Sequence, residues 1–142
     1  MKIRFNKKTL YSNLALGLLW TALGIYNLID DDNLRWSDYI LIGLGILYIS
    51  HFLNDIINQY LKIEGGTIKK NILYGFVTKI DLVKINSIEN SAGNYYLRTD
   101  SKKLKIKTDL IEHSSLLDLK NVLANLDLTP ENTPFTNNGY HN

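Results

Sequence analysis

Two sets of side chains in this 142-residue sequence have the types and spacing for chemistry. The first is His51 and Asp55, four positions apart and therefore on one helix face, with Asn54 beside them. In an antiparallel helix pair Ser12 and Asn13 would reach the same depth, so Asn13, His51, Asn54 and Asp55 form a candidate intramembrane polar cluster. Ionisable groups in a membrane are costly and often mark a proton or ion path; the plainer reading is an interfacial anchor or an interhelical hydrogen bond. The second set is cationic. Lys103, Lys105 and Lys107 alternate with Leu104 and Ile106, which puts the lysines on one face of a strand, and Arg98 and Lys102 belong to the same hairpin. Near an anionic leaflet each cation contributes about 1 kcal/mol of attraction. On a soluble sheet the same row simply protects an edge.

Other chemistries lack residues. His51, His113 and His141 stand too far apart for a recognised metal spacing. Glu112-His113-Ser114 suits the capping of a helix rather than nucleophilic attack. Gly65-Gly66 and Gly93 have neither the strand–helix context nor the lysine of a phosphate loop. The absence of cysteine removes disulfides, thiolate metal sites and a cysteine nucleophile. A net charge of +2 gives no bulk attraction to nucleic acid. The expectation is a protein without cofactor, metal, nucleic-acid partner or enzymatic activity.

The polar cluster needs two helices to position it. Between Lys8 and Asp30 no side chain carries charge, a stretch of about 20 residues that suffices for a hydrocarbon core of about 30 Å. Leu14, Leu16, Leu18, Leu19, Leu23 and Ile25 fall all round a helical wheel, unlike a soluble amphipathic helix. A second apolar run covers residues 39–57, with His51, Asn54 and Asp55 near its end, so that end belongs at the headgroups. Asp30-Asp31-Asp32 and Asp38 lie between the runs. Gly17, Thr21 and Gly24 share a face of the first helix, and Gly43 and Ser50 a face of the second; both faces suit close contact, within the hairpin or between copies.

Flanking charge sets the orientation. Lys2, Arg4, Lys7 and Lys8 precede the first run and Lys62, Lys69 and Lys70 follow the second, whereas the connection has only Arg35. Both termini are thus expected in the cytoplasm, and Tyr11, Tyr26, Trp36, Tyr39 and Tyr60 are placed at the membrane boundaries. The apolar run is long and no small-x-small site follows it, which argues against a cleaved signal peptide. Abundant Asn, Lys and Ile resemble the usage of an AT-rich bacterial genome.

The lysine row needs a sheet. Leu61 and Ile63 precede Gly65-Gly66 and residues 67–72 follow, predicting a β-hairpin with a two-residue turn. Residues 73–77 offer a second turn leading to a strand at 79–82. Val83, Ile85 and Ile88 are expected inward, residues 90–94 form a loop, and 95–99 with 104–108 form a hairpin around Asp100-Ser101-Lys102. Ser114 or Ser115 is expected to cap a last helix, whose Leu116, Leu119, Val122, Leu123 and Leu126 follow a helical period. Leu128 should end the packed region, and residues 129–142, with Pro130 and Pro134, read as a mobile tail.

This order of elements resembles small bacterial PH-like (pleckstrin-homology-type) membrane proteins. Leu61-Lys62-Ile63-Glu64-Gly65-Gly66-Thr67-Ile68 is similar to the first β-hairpin of that family, and Ile80-Asp81-Leu82-Val83-Lys84-Ile85-Asn86-Ser87-Ile88 to its strand entering mid-sheet. The resemblance implies a membrane-tethered binding or scaffolding module. Five or six strands are legible against the seven of a PH barrel, leaving an incomplete sheet or an edge covered by a partner. The expected fold is an α+β membrane protein: a transmembrane helical hairpin, then a small antiparallel PH-like sheet closed by a C-terminal amphipathic helix. Its parts are a basic N-terminus at 1–9, the hairpin at 10–57, a cytosolic domain at 58–128 and the tail. The expected location is the bacterial cytoplasmic membrane, with lipid and a protein partner or second copy as contacts. Alternatives are a small membrane enzyme or ion-handling protein using His51 and Asp55, and a toxin-immunity-type membrane protein.

Overall fold

The computed structural model describes residues 1–30, 35–76 and 79–135. Asp31 and Asp32 of the acidic turn, Val77, and the tail from residue 136, with His141, lie outside them. The chain divides into a helical unit, residues 7–57, and a domain made of residues 1–6 and 58–142.

The helical unit consists of α1 (Lys7–Asp30) and α2 (Trp36–Asn58). Both are long and apolar enough to cross a membrane. Leu18, Leu19, Ile25 and Ile29 on α1, and Ile46, Leu47, Leu53 and Ile57 on α2, are exposed. The helices meet along glycines. A Cβ on Gly17 would stand 2.7 Å from Ile49 Cγ1, and one on Gly24 would stand 3.0 Å from the Ile42 amide nitrogen. A Cβ on Gly45 would stand 2.8 Å from the Thr21 nitrogen and 3.0 Å from the Gly17 carbonyl, and would overlap Thr21 Oγ1. Small residues therefore set the approach of the backbones, within one chain. Gly45 replaces the expected Gly43, which faces open space. Thr21 satisfies its hydroxyl on its own helix, donating to the Gly17 carbonyl at 2.8 Å. At the turn, buried Asp38 accepts from the Arg35 amide at 2.9 Å and from Asn27 Nδ2 at 3.2 Å, covering an orphan donor at the start of α2.

The domain begins with the first residues of the chain. β1 (Lys2–Ile3) pairs with β2 (Leu61–Glu64), which pairs with β3 (Thr67–Lys70), which pairs with β4 (Lys79–Asp81), all antiparallel. A second antiparallel sheet holds β5 (Ser87–Ser91), β6 (Asn94–Arg98) and β7 (Lys103–Lys107), and α3 (His113–Ala124) follows. Alternation sends Leu61, Ile63, Ile68, Leu97, Leu104 and Ile106 inward. Gly65 and Gly66, with φ of +56° and +70°, make the two-residue turn their sequence demands.

Several expectations change. The residues read as a basic lead-in enter the core: Ile3 and Phe5 are buried, Phe5 bridges Ile111, and the Glu112 amide donates to the Arg4 carbonyl at 3.0 Å. With β1, the described residues form seven strands. The loop expected at 90–94 is a tight turn at Ala92 and Gly93, with φ of 49° and 74°. Val83 points outward from the 3-10 turn Leu82–Lys84. Neither Ser114 nor Ser115 caps α3: Glu112 holds that position without a side-chain cap, and buried Ser115 accepts the Arg4 amide at 3.2 Å. Packing continues past Leu128, since the Phe135 ring lies 5.5 Å from that of Tyr95.

Gly45→Ala should lower the stability of the helical hairpin by about 1–3 kcal/mol through overpacking against Thr21, while Gly43→Ala should change it by less than about 0.5 kcal/mol. Unfolding of the two variants in mild detergent checks both values.

Candidate functional site

The register of β6 and β7 assembles a basic face. Tyr96 stands opposite Lys105, Arg98 opposite Lys103, and Asn94 opposite Lys107. The Lys103 and Lys105 ammoniums lie 4.5 Å and 5.5 Å from the Tyr96 ring centroid, within cation–π reach. Lys103, Lys105 and Lys107 are exposed and form no ion pair with a carboxylate of the described residues. Arg98 is different. Its Nε and Nη2 each lie 2.9 Å from a Glu89 carboxylate oxygen, a two-point pairing that neutralises it on the surface. Lys102 sits in the turn after β6, where its amide donates to Thr99 Oγ1 at 3.0 Å. It faces a cavity of about 190 Å³ shared with Lys79, Lys84, Asp81, Thr99 and Ser101. In that cavity, hydrogen bonds from Thr67 and then Lys84 hold the Asp81 carboxyl below its ordinary value. The five expected cations are thus three exposed lysines on one face, one paired arginine and one lysine at a separate cavity.

β7 ends its sheet, so its outer amides and carbonyls need partners. Two come from side chains outside its sheet, one at the end of β3 and one just before β2. Lys70 Nζ donates to the Lys105 carbonyl at 2.7 Å, and the Lys107 amide donates to the Tyr60 hydroxyl at 2.8 Å. The edge expected to be open or covered by a partner is therefore tied from within at these two groups. Lys70 is almost wholly buried and has no carboxylate partner among the described residues; its ammonium lies 5.8 Å from the Tyr60 ring centroid. Burial, and then the charges of Lys107 and Lys105, push its pKa down. Burial pushes the Tyr60 hydroxyl up to about 12. Sequence reasoning missed both roles: it placed Tyr60 at the membrane boundary, whereas its side chain lies in the domain core. The signal was available in its position, immediately before an alternating strand.

The second candidate cluster is only partly assembled. His51 Nε2 lies 3.6 Å from Asp55 Oδ2, an ion-pair distance too long for a hydrogen bond. Asp55 is 1% exposed, and Asn54 is half-buried. The Tyr11 ring lies 6.2 Å from that of Phe52, so residues near 11 and 52 share a level on the two helices. Half-buried Asn13 makes no side-chain hydrogen bond to the other members, and Ser12 donates to the Lys8 carbonyl of its own helix at 2.7 Å. Among the described residues no three His, Asp or Glu side chains gather to hold a metal. The β7 face carries the exposed cations Lys103, Lys105 and Lys107 around the Tyr96 ring.

No protein family, no curated protein and no solved structure matches this chain.

Tyr60→Phe removes the acceptor of the Lys107 amide and should lower domain stability by about 1–3 kcal/mol. The sign of the pH effect follows from the raised pKa. Tyr60 contributes its full stability below pH about 10 and loses it as pH rises through about 12. A spectrophotometric titration should show one tyrosine ionising late in the wild type, and that phase should be missing from Tyr60→Phe.

Proposed function

We propose that this chain is a membrane-anchored, non-enzymatic binding or scaffolding module, with its hairpin in the bacterial cytoplasmic membrane and its PH-like domain in the cytosol. Its contacts are a protein partner and anionic lipid. One observation carries the reading: two long helices with exposed leucines and isoleucines are inserted between the first and second strands of a single domain. Each such side chain gains roughly 1.5–3 kcal/mol when fully removed from water, and lipid supplies that environment on all sides.

The pairing of β1 with β2 requires both feet of the hairpin on the same side of a bilayer, which two crossings provide. Lys7 and Lys8 at one foot and Lys62 and Lys69 after the other favour the cytosolic side by charge bias. Seven strands in sheets of four and three, followed by a helix, agree in number with a PH-type module and favour the resemblance. The exposed lysines of β7, which have no carboxylate partner among the described residues, support contact with anionic lipid headgroups. A second reading, ion or proton handling, is favoured by the nearly complete burial of Asp55 beside His51. Proton or cation flux in proteoliposomes, lost in Asp55→Asn, would establish it over the first.

The chain has no cysteine, so single cysteines report topology cleanly. In intact spheroplasts a membrane-impermeant maleimide should label Ser37→Cys at once and Lys84→Cys only after permeabilisation. The protein should also stay in the pellet through alkaline carbonate extraction. Release into the supernatant, or labelling of Lys84→Cys from outside, would overturn the reading.

A further inference from the structure

Both connections between the domain and the helical hairpin lie at one end of the first sheet. β1 leaves that end after Ile3, and β2 enters it at Leu61, the register partner of Ile3. Lys70, the last residue of β3, also pairs with Leu61, so the β3–β4 connection springs from the same end. Only Gln59 and Tyr60 separate Asn58 of α2 from Leu61, a tether of roughly 10 Å at full extension.

The inner side of this connection is firmly built. The Asn71 amide donates to the Tyr60 carbonyl at 3.0 Å, and Asn71 Oδ1 accepts the Leu73 amide at 3.1 Å. The Tyr74 ring packs 4.9 Å from Phe5 and 5.8 Å from Tyr60. Gly75, at φ 157° and ψ 160°, lets the chain pass over the Lys70 ammonium, which would lie 3.1 Å from a Cβ there. The outer side is apolar and uncovered: Ile72 is 75%, Leu73 55% and Phe76 107% exposed. Three large apolar side chains exposed within five residues are not the scattered singles of an ordinary surface.

The charges around this end fit an anionic surface. Lys79, at the start of β4, stands opposite Lys69. The bonds from Lys70 and Tyr60 bring Lys105 and Lys107 toward the same end. Two acidic groups near this end are Asp109, which lines a cavity with Lys105 and Lys107, and Glu112, which pairs with Arg4 at 2.9 Å. The opposite end of the sheet holds the Gly65-Gly66 turn, joined by the Leu82 amide at 2.8 Å, and there Val83 is 94% exposed.

We propose that Ile72, Leu73 and Phe76 form an apolar wedge that enters the headgroup–acyl boundary of the bilayer, with Lys69, Lys79, Lys105 and Lys107 set against anionic headgroups around it. The inference rests on the membrane reading of the hairpin. The wedge adds a third attachment beside the two chain connections, and so fixes which end of the domain faces lipid and which end is left for a partner.

Single cysteines at Leu73, Phe76, Val83 and Ile46 test it, each carrying an environment-sensitive fluorophore in the full chain reconstituted in phosphatidylglycerol–phosphatidylcholine vesicles. Labels at Leu73 and Phe76 should be quenched several-fold more by a lipid nitroxide near the headgroup than the label at Val83. The label at Ile46 should respond to a deep nitroxide. Quenching at Ile46 with Leu73 and Phe76 indistinguishable from Val83 would overturn the wedge and leave the anchor standing. No quenching at Ile46 would remove the anchor and the wedge together. Vesicles of phosphatidylcholine alone, or the Lys105→Gln/Lys107→Gln variant, should reduce shallow quenching at Phe76; an unchanged signal would remove the lysines from the contact.

Discussion

The pairing of Lys2 with Lys62 and of Ile3 with Leu61 is the constraint on which the architecture depends. It closes a loop made of the entire helical hairpin. Loop closure becomes more costly with length only slowly, but a flexible loop of this size would still oppose a strand pair as short as β1. The hairpin relieves that cost because α1 and α2 are antiparallel and tightly joined through Gly17, Gly24 and Gly45. Burial of Ile3 and Phe5, and the bond from the Glu112 amide to Arg4, extend the clasp from β2 to the start of α3.

The exchange between the two sheets has a similar economy. A strand edge is ordinarily satisfied by another strand, by water or by a partner. Here a lysine and a tyrosine reach the edge of β7, and each leaves its own mark. Lys70 gives up carboxylate pairing for a carbonyl and an aromatic ring, which its burial makes unfavourable for the charged form. Tyr60 gives up water for one amide donor and the rings of Phe5 and Tyr74.

Local chemistry was legible in the sequence; pairing between distant segments was not. The two helices, the Gly65-Gly66 turn, the inward Leu104 and Ile106 and the lysine alternation all follow from periods of two or 3.6 residues. β1 was hidden because two residues carry no period, and their partner lies beyond the hairpin. Val83 misled because alternation was continued through a 3-10 turn, which resets the side-chain direction. Ser114 and Ser115 have good capping chemistry, yet the backbone of Glu112 meets Arg4 first and starts α3 earlier. In the candidate site, the face of Lys103, Lys105 and Lys107 could be read from spacing. The withdrawal of Arg98 by Glu89 could not, because that pair depends on the register of β5 against β6.

The glycine seam of the hairpin has a consequence for stoichiometry. Gly17, Gly24 and Gly45 face the neighbouring helix of the same polypeptide and are spent there. The surface left outside carries Leu18, Leu19, Ile46 and Leu47 together with the small residues Ala15, Ala22, Gly43 and Ser50. If the hairpin lies in lipid, the seam that holds its two helices together is used up within one chain, and contacts between copies would have to be made by other surfaces.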